Sequence, residues 1–231
     1  CPPGGLSEDR PAMPPRVATD MKPTDDELAE RAQAGELTAF NLLVERYQRP
    51  VYGLCLRMLS STAAAEDAAQ DTMISAWKGL SGYRGGSFQA WILRIAGNQC
   101  RDELRKRKRR PQDSLDTMME DQGEGAAGPS KTRGPEDLSL GSETGRVILA
   151  GLNTLPDDQK QAILLCDVQG LPYDEIATAM DTSVGTVKSR ISRGRARLRD
   201  FLIERGELPG GRTRLAEQTA EPAQSGMGAS Q

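Results

Sequence analysis

The chain has 231 residues, of which 37% are apolar, 4% aromatic and 27% charged, and it contains no histidine. This composition suits one or two small helical domains rather than one large core, and it removes Ser–His, Cys–His and histidine-ligated metal chemistry. A net charge of −3 gives no hint of nucleic acid, but the basic residues bunch in two runs while the acids are spread elsewhere, and that asymmetry carries the signal.

The cysteines Cys1, Cys55, Cys100 and Cys166 lie far apart without a CxxC pair, so neither a zinc site nor a disulfide framework is indicated. Cys55 and Cys166 stand in apolar runs and read as buried thiols. No stretch approaches the length of a membrane span, which makes the cytoplasm the default location. No cofactor, metal or membrane insertion is expected. Phosphate loops of the GxxxxGK[ST] and GxGxxG types are absent, and nothing argues for an enzyme.

Residues 1–23 are proline-rich and aperiodic, a disordered leader. Thr24 to Glu27 form a capping box that opens a helix, and Gly35-Glu36 interrupts it. Phe40, Leu43, Val44, Tyr47 and Val51 follow at core spacing, with Pro50 expected to bend or break the helix near its middle. A second long helix is predicted from near Thr62 to about Trp77. Its apolar side is read as Ala69, Met73, Ala76 and Trp77, with Glu66, Asp67, Gln70 and Asp71 opposite. Those acids are either a solvated face near a helix start or a docking surface for a basic partner.

Ser81 to Ser87 is a glycine-rich loop carrying Tyr83 and Arg84. Phe88, Trp91, Ile92 and Ile95 mark a third helix that ends in the basic run Arg105 to Arg110 before Pro111. A basic helix end beside an exposed aromatic can track phosphates and stack an unpaired base; the plainer reading is that the cations complement the helix dipole. Residues 112–140 are poor in apolar side chains and rich in Gly, Pro and Ser, a flexible linker dividing residues 24–111 from residues 141–205. Residues 206–231 read as a disordered tail.

Within the second domain, Val147 to Leu155 and Pro156 to Val168 are helix candidates that would pack under a helix-turn-helix at residues 170–199. Pro172, Asp174 and Glu175 start its first helix, with Ile176, Ala177 and Met180 as the apolar face. Asp181-Thr182-Ser183 breaks the pattern and Ser183 caps the next helix. That helix buries Val184, Val187 and Ile191 and presents Lys188, Arg190, Arg193, Arg195, Arg197 and Arg199. No acid occurs between Val184 and Arg199, as a helix seated in the DNA major groove requires. The fold class is therefore all-α: two small helical domains joined by a flexible linker, the second containing a helix-turn-helix.

The segments FNLLVERYQRPVYGLCLRML and AAEDAAQDTMISAWKGLSGYRGGSFQAWILRIAGNQCRDELRKR resemble region 2 of the bacterial extracytoplasmic-function sigma factors. LNTLPDDQKQAILLCDVQGLPYDEIATAMDTSVGTVKSRISRGRARLR is similar to their region 4. The resemblance implies a factor that binds core RNA polymerase and directs promoter-specific initiation in a stress or envelope response. It implies that Asp67, Gln70 and Asp71 dock on the β′ coiled coil, with further contact to the β subunit. It assigns −10 DNA recognition to Tyr83, Arg84, Asn98, Arg101 and Arg105, with Tyr83 stacking on an extruded base and Asn98 bonding its edge. Trp91 is assigned to the core by its spacing. Lys188, Ser189, Arg190, Ser192, Arg193 and Arg197 would read the −35 duplex. An anti-sigma protein is a further implied partner.

Two other readings compete. A free-standing helix-turn-helix regulator explains residues 170–199 but leaves the acidic helix and aromatic loop without a purpose. An enzyme acting on nucleic acid would need a carboxylate metal cluster or an activated nucleophile, and neither is visible.

Overall fold

The structure is a computed structural model and describes residues 22–109 and 143–208. The predicted linker lies outside these residues, as do all but the edges of the leader and tail. Helices α1 (Asp25–Gln33), α2 (Leu37–Leu59), α3 (Thr62–Gly79) and α4 (Phe88–Arg109) make the first unit, with a 3-10 turn at Leu80–Gly82. The second unit has α5 (Glu143–Asn153), α6 (Asp157–Ile163) running into a π turn at Leu164–Val168, α7 (Tyr173–Ala179) and α8 (Val184–Glu204). No strand occurs among the described residues.

The predicted caps form. Thr24 and Glu27 exchange both bonds of a capping box at the start of α1, and Ser183 Oγ accepts from Thr186 N at 3.1 Å at the start of α8. Each cap satisfies backbone donors that the helix start leaves free, worth about 1 kcal/mol. Gly35, at φ +97°, makes the break between α1 and α2 in a backbone region that side chains disfavour.

Four expectations need correction. Pro50 does not break α2, which is continuous from Leu37 to Leu59. Proline removes one backbone donor, but Val51, Leu54, Cys55 and Met58 are buried just beyond it, and this apolar face holds the helix on course. On α3 the buried stripe is Ala65, Ala68, Thr72 and Ala76, rotated from the predicted one. Trp77 is 41% exposed, with its ring tilted 57° against that of Phe40 at a centroid distance of 4.8 Å. Val184 is exposed while Val187 and Ile191 are buried, because the first residue of α8 projects beyond the α7 contact. Among the cysteines, Cys55 and Cys100 are buried, but Cys166 is only half-buried, near the Asp167–Arg195 pair.

Two aspects of the packing decide where the functional surfaces lie. Phe88 stands at the centre of an aromatic group with Tyr47, Tyr83 and Trp91, fixing the start of α4 against α2. In the second unit α6 and α8 cross so closely that a Cβ at Gly194 would lie 2.6 Å from Ile163 Cδ1. The two units are also in contact. Their buried apolar side chains form one cluster, and α4 lies against α7.

Candidate nucleic-acid interface and docking face

Asp67, Gln70 and Asp71 are all exposed on α3, on the side away from the alanine stripe. The alanine stripe is what sets this outward direction: small side chains let α3 lie close to α2 and α4, and the residues opposite face solvent. The same face carries Ile74, 44% exposed, one turn beyond Asp71, and Trp77 flanks it. Leu37 of α2 is 57% exposed, one turn before the Phe40 that touches Trp77. Sequence reasoning placed Trp77 in the core and passed over Ile74. The available signal was that Ile74 follows the polar Gln70 and Asp71 by one turn on the same face, which marks an exposed hydrophobe with a use.

Tyr83 is not the exposed aromatic that the loop composition suggests. It is 6% exposed, and its hydroxyl donates to Asp26 Oδ1 at 2.9 Å or Gly86 O at 2.8 Å. Its ring packs on Phe88 and Trp91, and Gln33 Nε2 donates to the carbonyls of Leu80 and Tyr83. Burial and the Asp26 carboxylate both push the phenol well above its usual pKa, so it stays a neutral donor. A large flat ring beside an apolar helix start is more stable inside than out, and α1 supplies the polar partners that its burial requires. Tyr83 thus fastens the loop, leaving Arg84 and the two positive-φ glycines Gly85 and Gly86 exposed at its tip. Tyr83→Phe is expected to cost about 1–2 kcal/mol through the missing hydroxyl bonds. A thermal melt against wild type checks this; an unchanged melting temperature would mean that the loop is held by ring packing alone.

Arg94, Asn98, Arg101 and Arg105 recur on one stripe of α4. Asn98 is exposed, and its side-chain oxygen accepts from Arg101 Nη2. Arg105 pairs with Asp102 at 2.9 Å, an exposed contact that phosphate could replace at little cost. Trp91, assigned to the core by spacing, is half-buried against Tyr83 and Phe88.

The helix-turn-helix is present, with Asp181 at φ 50° turning the chain between α7 and α8. The candidate reading residues on α8 divide into two sets. Lys188, Ser192 and Arg193 are exposed, and neither cation makes an ion pair among the described residues. Arg190 is only 25% exposed, with Nε 2.8 Å from Asp158, and Arg197 bonds Gln159 Oε1 at 3.2 Å. Ser189 Oγ donates back to Thr186 O at 2.9 Å. Arg195 pairs with Asp167, whose carboxylate holds the guanidinium above its usual pKa and is itself held below the usual carboxylate range. A concave surface lined by Tyr173, Lys188, Ser192, Arg195 and Arg199 lies between α7 and α8. Among the described residues no cluster of His, Cys, Asp or Glu could hold a metal ion, and no helix is long and apolar enough to cross a membrane.

Comparison with known proteins finds two matching families. Sigma-70 region 2 matches residues 43–110, and Sigma-70, region 4 matches residues 146–198. The ECF RNA polymerase sigma-E factor of Escherichia coli (strain K12) is 40% identical over 174 residues, covering 74% of this chain and 91% of that protein. The RNA polymerase sigma-H factor of Pseudomonas aeruginosa is also 40% identical over 174 residues, covering 74% of this chain and 90% of the relative. Among solved structures, the sigma factor RpoE from Bartonella quintana, in complex with the anti-sigma factor NepR, aligns with TM-score 0.56 and 28% identity over 71% of this chain and 96% of that one. CnrH in complex with the cytosolic domain of CnrY aligns with TM-score 0.57 and 25% identity, over 78% and 97% of the two chains.

Proposed function

The chain belongs to the extracytoplasmic-function sigma factors of the sigma-70 family, and on that premise we propose which of its surfaces meets polymerase and which meets DNA. As a member of that family it binds core RNA polymerase and directs promoter-specific initiation of transcription. Residues 24–111 act as region 2 and residues 141–205 as region 4. The acidic face of α3, with Asp67, Gln70 and Asp71, docks on a basic coiled coil of the β′ subunit. Ile74 and Trp77 give that contact a dehydrated centre, since charged rims mainly steer while buried aromatic and aliphatic anchors hold. Region 4 makes the further contact, to the β subunit.

Lys188, Ser192 and Arg193 enter the major groove of the −35 element, and Arg190, Ser189 and Arg197 join them once DNA competes for their present partners. At the −10 element the Arg84 loop and the Asn98–Arg101–Arg105 stripe capture the opened strand, with Asn98 bonding an extruded base. Tyr83 holds the loop that shapes this pocket; stacking by its ring would require the loop to open. Each domain alone binds weakly, and tethering both to polymerase supplies the effective concentration. RNA synthesis belongs to the core enzyme, and this chain contributes binding energy that drives DNA distortion. The site of action is the cytoplasm, the signal an envelope or other stress, and an anti-sigma protein, as in the RpoE–NepR complex, is a further partner.

One observation supports the reading above all: an exposed acidic and apolar face on one helical unit is combined, on the other, with a recognition helix whose exposed Lys188 and Arg193 make no ion pair among the described residues. Promoter-dependent transcription with core polymerase tests it. Asp67→Lys/Asp71→Lys is expected to lose core binding, whereas Lys188→Ala/Arg193→Ala should keep core and lose promoter choice. A wild-type chain that never joins core yet binds duplex DNA alone would sink this assignment in favour of a free-standing regulator.

A further inference from the structure

Cys55 of α2 and Cys100 of α4 are both 0% exposed, and the function proposed above uses neither. They meet where the two helices pack, the Cys55 S–H donating to the Cys100 sulfur. That bond and burial push the Cys55 thiol well above its usual pKa, so it keeps its proton until a stronger acid displaces it.

Helix α6 crosses this point, at the seam between the two units. Lys160 is 4% exposed, and its ammonium donates to Met58 O at 3.0 Å, one turn beyond Cys55 on α2, and to Asn153 Oδ1 at 2.7 Å. Its neighbour Gln161 lies over Gly97, one turn before Cys100 on α4, where a Cβ would overlap Nε2. Gln161 is fully buried, and neither Nε2 nor Oε1 has a hydrogen-bond partner. Burial disfavours the Lys160 ammonium, while the charges of Asp157 and of Cys100 favour it. Both of its bonded partners are neutral, so a buried positive charge stands beside the thiol pair without a bonded counter-ion, a costly arrangement unless an anion uses it.

The ligand set selects the ion. No cluster of three or more His, Cys, Asp or Glu side chains occurs among the described residues, so ions that need three or four protein ligands have no seat. Soft monovalent ions with a filled d shell, copper(I) and silver(I), bind two thiolates in a line. Binding breaks two S–H bonds, forms two metal–sulfur bonds and releases both protons to solvent. One positive ion between two thiolates leaves a single negative charge, which the ammonium of Lys160 balances. A divalent soft ion such as mercury(II) leaves a neutral complex and gives the ammonium no role.

We propose that Cys55 and Cys100 form a linear two-sulfur site for a monovalent soft cation, copper(I) or silver(I), with Lys160 as its counter-charge. Cys100 stands between Asn98 and Arg101, so the bound ion ties to α2 the segment of α4 that carries the proposed −10 contacts. That consequence rests on the sigma reading above; the site itself does not.

A full-length Cys1→Ser/Cys166→Ser chain keeps the proposed pair as its only cysteines. Anaerobic equilibrium dialysis against copper(I) with a competing chelator counts the bound ion, and X-ray absorption at the metal edge reads its ligands. This chain should hold one equivalent with two sulfur neighbours. Adding Cys55→Ala or Cys100→Ala should abolish binding, while circular dichroism retains the parent helicity, since a buried thiol packs as a small hydrophobe. Adding Lys160→Met should weaken copper(I) binding about ten-fold and leave mercury(II) binding unchanged. No copper(I) held against the chelator, oxygen or nitrogen neighbours in place of the two sulfurs, or binding that survives loss of either cysteine overturns the site. Undiminished copper(I) binding in Lys160→Met, or equal weakening of both ions, overturns the counter-charge and with it the choice of a monovalent ion. Where an alanine variant fails to fold, the ligand spectrum of the two-cysteine chain decides alone.

Discussion

Phe88→Ala is expected to lower the stability of the first helical unit by about 3–5 kcal/mol. The side chain is 1% exposed and its ring meets those of Tyr47, Tyr83 and Trp91 at centroid distances of 5.3, 5.4 and 5.2 Å. Truncation removes the shared partner of all three and leaves a cavity that α2 and α4, both long and fixed at other points, cannot close. The loss is of the same order as the whole stability of a small domain. Because Tyr83 is also the anchor of the Arg84 loop, the variant should lose −10 strand capture before it unfolds completely. Urea denaturation followed by circular dichroism measures the effect. Ile74→Ala is the matched control, since removing an exposed side chain should change stability by less than about 0.5 kcal/mol while weakening attachment to core. A Phe88→Ala chain within about 1 kcal/mol of wild type would show that the aromatic group is not the keystone of this unit.

Ile191→Ala should cost the second unit about 2–5 kcal/mol and abolish −35 recognition. Ile191 is 2% exposed and Val187 fully buried, and these two side chains fix the rotation of α8 that turns Lys188, Ser192 and Arg193 outward. One turn later Gly194 lets α8 approach Ile163 of α6, so the helix cannot settle into the vacated space without a backbone clash. The expected result is a less cooperative thermal transition together with loss of footprinting over the −35 element by the holoenzyme. Val184→Ala, at the exposed first residue of the same helix, should leave both unchanged. Equal losses in the two variants would mean that α8 is held by its whole N-terminal turn rather than by the Val187–Ile191 pair.

These variants also separate what the order of residues determines from what the assembled helices decide. Thr24, Ser183, Gly35, the periodic apolar positions of α2, and Val187 and Ile191 of α8 were legible because caps, breaks and strong stripes act within a turn or two of chain. The helix-turn-helix and its cation-only surface follow from such local signals, as does the presence of two helical units. The rotation of α3 does not. Alanine is small enough to lie on either side of a helix, and the choice between the Ala65–Ala68–Thr72–Ala76 stripe and its neighbour depends on the shapes of α2 and α4. Tyr83 is a second case: glycines around it suggest exposure, but Asp26 and Gly86 provide partners for its hydroxyl only after α1 has packed nearby. The seam between the units is the third, since no local rule relates Gln161 to Gly97 or Lys160 to Met58 across the intervening chain. Short-range physics fixed which segments are helices and which carry cations. Long-range packing decided which faces remain free to meet polymerase and DNA, because burial is a property of two surfaces and a sequence states only one at a time.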